Sequence, residues 1–145
     1  MLPAFNADGN LPEGIHRATD DEVLTRFATT TARRQWLGER LRSLLAVAKS
    51  TGKLERVFLW GSFVTGKPVP NDLDVLLVVA DDFSLDSAPV QCGTLFDHAR
   101  ARIHFHADVF CTKASIDGDI LSLWLDTYQT GKDFKRRGIV EVIYP

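Results

Sequence analysis

The sequence predicts an α/β (α+β) fold: a small mixed β-sheet with helices packed mainly on one face. Three observations carry that expectation. Two apolar runs, from Arg56 to Trp60 and from Leu73 to Val79, are joined by a Gly- and Pro-rich turn, as two neighbouring strands would be. Between Thr31 and Gly52, Leu37, Leu41, Leu44, Leu45 and Ala48 recur at helical spacing. The stretch from His104 to Cys111 alternates apolar and polar side chains, as a half-buried strand does. With 145 residues, 45% of them hydrophobic and 25% charged, the chain is long enough to bury one core. We therefore expect one domain over residues 1–145, with its core at about residues 31–130.

In chain order, residues 1–18 contain Pro3, Gly9, Pro12 and Gly14 and read as an irregular arm, with Phe5, Leu11 and Ile15 available to tuck it against the core. Thr19-Asp20-Asp21-Glu22 has the capping-box pattern, a hydroxyl at the cap and a Glu three later, so a short helix with Val23, Leu24 and Phe27 on one face should follow. The longer helix then runs from about Thr31 to Gly52, a natural C-terminal stop. Arg33, Arg34, Arg40 and Arg42 fall mostly off its apolar stripe and read as a solvated face. After the first strand, residues 65–71 form a loop punctuated by Gly66, Pro68 and Pro70. The second strand is apolar at almost every position, which implies burial on both faces. Pro89 suits the first turn of a third helix, carried by Val90, Leu95, Phe96, Ala99 and Ile103. The next strand, His104 to Cys111, would put Phe105, Ala107 and Val109 on one face and His104, His106 and Asp108 on the other. A last helix spans about Ser115 to Thr130, and Ile139 to Tyr144 closes the chain as a short strand after the basic stretch Lys132 to Arg137.

Composition narrows the function classes. A formal net charge of −2 argues neither for nor against nucleic acid. Cys92 and Cys111 have no metal-ligand spacing and read as reduced, buried thiols of a cytoplasmic protein. No signal peptide is evident, and the longest apolar run, Val75 to Ala80, is far too short to span a membrane.

The chemistry concentrates between Val57 and Val79. Asp72 and Asp74 lie two apart, so on a strand they share a face, and two adjacent like charges need a cation between them. A divalent ion held by carboxylates, with Mg²⁺ the natural choice and Mn²⁺ its substitute, meets that need. Asp72 alone would pass for a turn residue. Asp74 would not, since it interrupts an otherwise apolar strand and a buried carboxylate requires a partner. Gly61 lets the backbone approach a ligand, and free N–H groups at Gly61 and Ser62 attract anions. Lys67, in the following loop, is a candidate phosphate contact, although a lone loop lysine needs no such role. Ser62 lacks the G-x-S-x-G surroundings of a nucleophile and reads as a phosphate contact. His104, His106 and Asp108 form a row that transition metals accept, although half-buried polar residues at the start of a strand explain the histidines equally.

Gly61-Ser62, nine intervening residues and Asp72-x-Asp74 followed by Val75, Leu76, Leu77 and Val78 resemble the signature of the DNA polymerase β-like nucleotidyltransferases, and in size the small bacterial minimal nucleotidyltransferases. Leu11 to His16, L-P-E-G-I-H, together with G-S-F-V-T-G-K, also resembles an uncharacterised bacterial nucleotidyltransferase-like family. The core resemblance covers roughly residues 55–112. It implies transfer of a nucleotidyl group from a nucleoside triphosphate to a hydroxyl, with two Mg²⁺ ions. Gly61 and Ser62 would seat the β,γ-phosphates, Asp72 and Asp74 would bind metal, and Asp108 would be the third carboxylate, a metal ligand that activates the acceptor. So short a chain leaves little to grip an acceptor, which points to a partner protein, as in toxin–antitoxin pairs. Phe63 stands where many minimal members carry a basic residue. That departure favours an alternative, a weak or silent binding module such as an antitoxin-type subunit. Nucleic-acid binding through Arg33 to Arg42 and Lys132 to Arg137 is a third, less supported reading.

Overall fold

The computed structural model describes residues 1–143. Five strands form one mixed sheet in the order β1-β5-β2-β3-β4: β1 (Ile15–Thr19), β2 (Leu54–Trp60), β3 (Leu73–Val79), β4 (Ala107–Lys113) and β5 (Ile139–Ile143). β2 runs antiparallel to both β3 and β5, whereas β1 is parallel to β5 and β4 is parallel to β3. Four helices accompany them: α1 (Asp20–Phe27), α2 (Ala32–Ser50), α3 (His98–Phe105) and α4 (Gly118–Tyr128).

The strands divide their side chains between two faces. Val57, Leu59, Leu73, Val75, Leu77, Ala107, Val109, Val140 and Val142 pack with α1, α2 and α3 in the larger core. The intervening Phe58, Leu76, Val78 and Ile139 meet Leu125 of α4 in a smaller cluster. The expected one-sided packing therefore holds for three helices, and α4 covers part of the second face. Each helix start has a chemical reason. Thr19 and Glu22 complete the capping box of α1, while the side chains of Thr31, Asp97 and Asp117 accept from the first-turn N–H groups of α2, α3 and α4. The expected α2 stripe is buried throughout.

Several expectations need correction. The arm is not irregular to residue 18, because its last part is β1, an edge strand in which only Ala18 is buried. Leu11 is fully buried but Ile15 is exposed. The third helix is broken: residues Val90–Thr94 make a 3-10 turn, and α3 starts only after Asp97. Val90 and Ile103 accordingly face solvent. The next strand begins three residues later than expected. His104 belongs to the last turn of α3, and His106 ends that helix in a left-handed conformation, φ 51°. The His104–His106–Asp108 row does not exist. Cys92 is buried, but Cys111 is exposed. The closing strand covers Ile139–Ile143, and Tyr144 lies outside the described residues. No helix among the described residues is long and apolar enough to cross a membrane.

Candidate functional site

Asp74 sits on β3 between Trp60 of β2 and Asp108 of β4, its direct partners in the sheet. All three therefore share the α4 face, and Asp72, one residue before β3, shares it too. The sheet register thus brings together the three carboxylates expected from the sequence. Arg102, on α3, stands between two of them: its Nη1 lies 3.0 Å from Asp72 Oδ2 and 3.3 Å from Asp108 Oδ1. His98, one helical turn earlier, places Nε2 3.6 Å from the same Asp108 oxygen. The hydrogen bond from Arg102 to Asp72, with the charge of Asp108, raises the guanidinium pKa further.

Among the described residues Asp74 has no such partner. Burial pushes its pKa up to about 7, and the charges of Asp72 and Asp108 push the same way against the weaker pull of Lys132 and Arg102. Its carboxylate instead lies against Gly61. That glycine has φ 81° and ψ −165°, a region open essentially to glycine alone, and a Cβ there would collide with Asp74 Oδ2. Gly61 is thus fixed twice, by its backbone and by the carboxylate it admits. We expect Gly61→Ala to cost about 1–3 kcal/mol in urea unfolding and to shift the Asp74 carboxyl resonance. A variant as stable as the parent would show that this contact is not needed.

The loops around the carboxylates are clamped from below by the N-terminal end of α2. Arg34, only 3% exposed, uses all five N–H groups of its guanidinium on backbone oxygens: Nε on Lys67 O, Nη1 on Phe27 O and Phe63 O, and Nη2 on Ser62 O and Thr65 O. Arg33 holds Pro70 O and Asn71 O, immediately before Asp72, and its Nη2 lies 3.2 Å from His106 Nε2. Neither arginine is free on a solvated face, as the sequence suggested. Phe63 is buried in the main core, so the side chain after Gly61-Ser62 points away from any ligand at the turn.

A cleft of about 650 Å³ opens over this arrangement. Asp72, Asp74, Gly61, Ser62, Lys67 and Trp60 line it, together with Asp8, Gly9 and Asn10 of the arm and Tyr128 to Arg137 in part. Asp108 is not among the lining residues; it lies beside Asp74 in the sheet and is paired with Arg102. Of the expected phosphate contacts, Gly61, Ser62 and Lys67 all face the cleft. Sequence reasoning missed Arg102, His98, Lys132 and Arg137 as site residues. The signal for the last two was the basic stretch itself, which had no place until the chain was folded.

Carboxylate oxygens are the donors that a hard divalent ion takes, and Asp74 has no ion-pair partner among the described residues. In the arrangement described, Arg102 supplies the positive charge instead, and among the described residues no three His, Cys, Asp or Glu side chains form a group poised to hold a metal ion.

Residues 3–143 match a family of unknown function, DUF6932, and the chain belongs to that family. No curated protein matches the chain, and neither does any solved structure.

Proposed function

For this member of a family without an assigned activity, we propose metal-dependent nucleotidyl transfer from a nucleoside triphosphate to a hydroxyl of a protein or nucleic-acid acceptor, carried out in the cytoplasm. The observation that supports it best is Asp74: a carboxylate inside an apolar strand, pressed against a glycine that has no room for a Cβ beside it, and flanked by Asp72 and Asp108. Mg²⁺ or Mn²⁺, held by Asp72, Asp74 and Asp108, would supply charge stabilisation to the attacking and leaving oxygens.

The chain's own residues do the rest. Ser62 to Val64 is a short helical turn starting at the cleft, and the leading N–H groups of such a turn have no partner within it; with Gly61 and Lys67 they hold the outer phosphates. Trp60, stacked on Tyr128 with ring centroids 3.7 Å apart, walls the cleft with aromatic surface. Arg102 releases Asp72 and Asp108. The acceptor hydroxyl gives its proton to Asp108 as its oxygen bonds to the α-phosphorus, the bond from that phosphorus to the bridging oxygen breaks, and pyrophosphate leaves.

A second reading is a silent nucleotide-binding module, such as the antitoxin-type subunit of a pair. The Arg102 ion pairs with Asp72 and Asp108 favour it, because they hold these carboxylates in place without any metal. Calorimetry with each triphosphate, with Mg²⁺ and after chelation, tests the metal; binding that is equal in both conditions removes it. Labelled triphosphates incubated with the protein and host lysate, with Mg²⁺ or Mn²⁺, test the transfer. Label in a protein or RNA is the expected result. No label from any triphosphate would leave only the binding module.

A further inference from the structure

The cleft is chemically two-ended. At one end stand Asp72 and Asp74; the remaining wall carries Lys67, Lys132, Lys135 and Arg137. Three of these four cations come from a single loop after α4. That loop is a hydrogen-bonded hairpin, with Thr130 bridged to Arg136, Gly131 N–H on Lys135 O, Phe134 N–H on Gly131 O and Arg137 N–H on Gln129 O. It is therefore a built wall and not a loose tail.

Two features mark Arg137 within it. Its guanidinium lies against Gly131, where a Cβ would collide with it, so the chain has left room for it. Its Nε–H is buried and has no acceptor, an omission that folded proteins seldom tolerate. The guanidinium's Nη2 is held 2.8 Å from Asp133 Oδ1, a half-exposed carboxylate of the same loop. Lys135 is paired in the same way with Asp8 of the arm, at 3.2 Å. Lys132 and Lys67 have no hydrogen-bond or salt-bridge partner among the described residues for their ammonium groups, although the field of Lys132 reaches Asp74.

We propose that Lys132 and Arg137, together with Lys67, form a seat for the polyphosphate group of the ligand. The counter-charge that Asp133 lends to Arg137 in the free protein is given up to that group. A guanidinium can meet phosphate oxygens with two parallel N–H bonds, while an ammonium contributes a point charge. Two lysines and one arginine, of which only Arg137 has an ion-pair partner among the described residues, suit an anion of several charges better than a single phosphate.

The assignment rests on reading this cleft as the nucleotide site, but the polyphosphate alone can test it. Binding of inorganic tripolyphosphate, of inorganic phosphate and of ATP is measured by calorimetry without metal, for wild type, Lys132→Ala and Arg137→Gln. Lys132 is exposed, so its variant folds even if Arg137→Gln does not. The expected result is that tripolyphosphate binds wild type more tightly than phosphate does and that each variant weakens it about ten- to a hundredfold. Adenosine, lacking phosphates, should not compete with it. Tripolyphosphate that binds Lys132→Ala as tightly as wild type, or no better than phosphate in wild type, would overturn the seat. Either result leaves the transfer reading to its own assay, and loss of transfer in lysate would leave the seat intact if tripolyphosphate still binds as expected.

Discussion

Asp74→Asn is expected to strengthen the protein while removing the proposed transfer. In the folded chain the Asp74 carboxyl titrates at about 7, against an ordinary value of 3.8. The folded state thus holds a proton that the unfolded state releases between those two values. Where the folded state binds more protons, stability falls as pH rises, so the cost begins near pH 4 and is fully present above about 7. A shift of this size corresponds to about 4 kcal/mol. Asn keeps the shape and carries no charge. The variant should therefore melt several degrees above wild type at pH 8 in metal-free buffer, and the gap should close as the pH falls toward 4. Added Mg²⁺ should narrow it at pH 8 by stabilising only the wild type. Equal melting of the two proteins at both pH values would show that Asp74 bears no electrostatic burden. Under the transfer proposal, the same substitution should lower labelling by several orders of magnitude, through loss of a metal ligand. Labelling as efficient as wild type would remove Asp74 from the chemistry.

Arg34→Met should have the largest effect in the opposite direction. Arg34 is buried, and burial lowers its pKa, yet every one of its N–H groups reaches a carbonyl of residues 27 or 62–67. Methionine would fill part of the space and leave those oxygens without their donor. A buried carbonyl left without any donor costs about 1–3 kcal/mol, and we expect a loss of at least that size in urea unfolding. Arg34→Lys should rescue only part of it, because an ammonium has three N–H groups and no fork to span both loops. Under the transfer proposal, triphosphate affinity should fall in the variant even at temperatures where it stays folded, since the Ser62 turn and the Lys67 loop lose their common anchor. A change within about 0.5 kcal/mol would mean that the turn holds its shape without Arg34.

How much of this could be read from the residues depends on how each one announces itself. Asp74 was legible because β3 is apolar almost throughout, so one charge in it demanded an explanation. The α2 stripe was legible because five leucines and alanines repeat at helical intervals. Arg34 was misread, although it falls three residues before Leu37 and seven before Leu41, on the stripe itself; a charged residue at a core position was assigned by its type and not by its phase. β1 was invisible for a simple reason. It is an edge strand with one buried side chain, so it offers no hydrophobic alternation. The Arg102 and His98 contacts were lost to a boundary error of three residues. The run from Phe105 to Val109 alternates as a strand should, but Phe105 is buried as the last residue of a helix, and the left-handed turn at His106 falls where the change of period would be seen. The exposed Ile103 and Val90 show the same limit: both were counted as core positions of a helix that Asp97 restarts.

The order of strands in the sheet has a consequence for how the molecule comes into being on the ribosome. β5 lies between β1 and β2, yet of the five strands it is the last to be synthesised. Until residues 139–143 leave the exit tunnel, β1 has no neighbour in the sheet, and β2 offers one unpaired edge to any passing strand. The hairpin of β2 and β3 and the crossover to β4 can assemble earlier, and with them the three carboxylates. Apart from Lys67, the basic wall of the cleft follows them, because residues 130–137 directly precede β5 and the Gly138 N–H is tied to Leu11 O. The nascent chain therefore has its acidic half synthesised before most of its basic half.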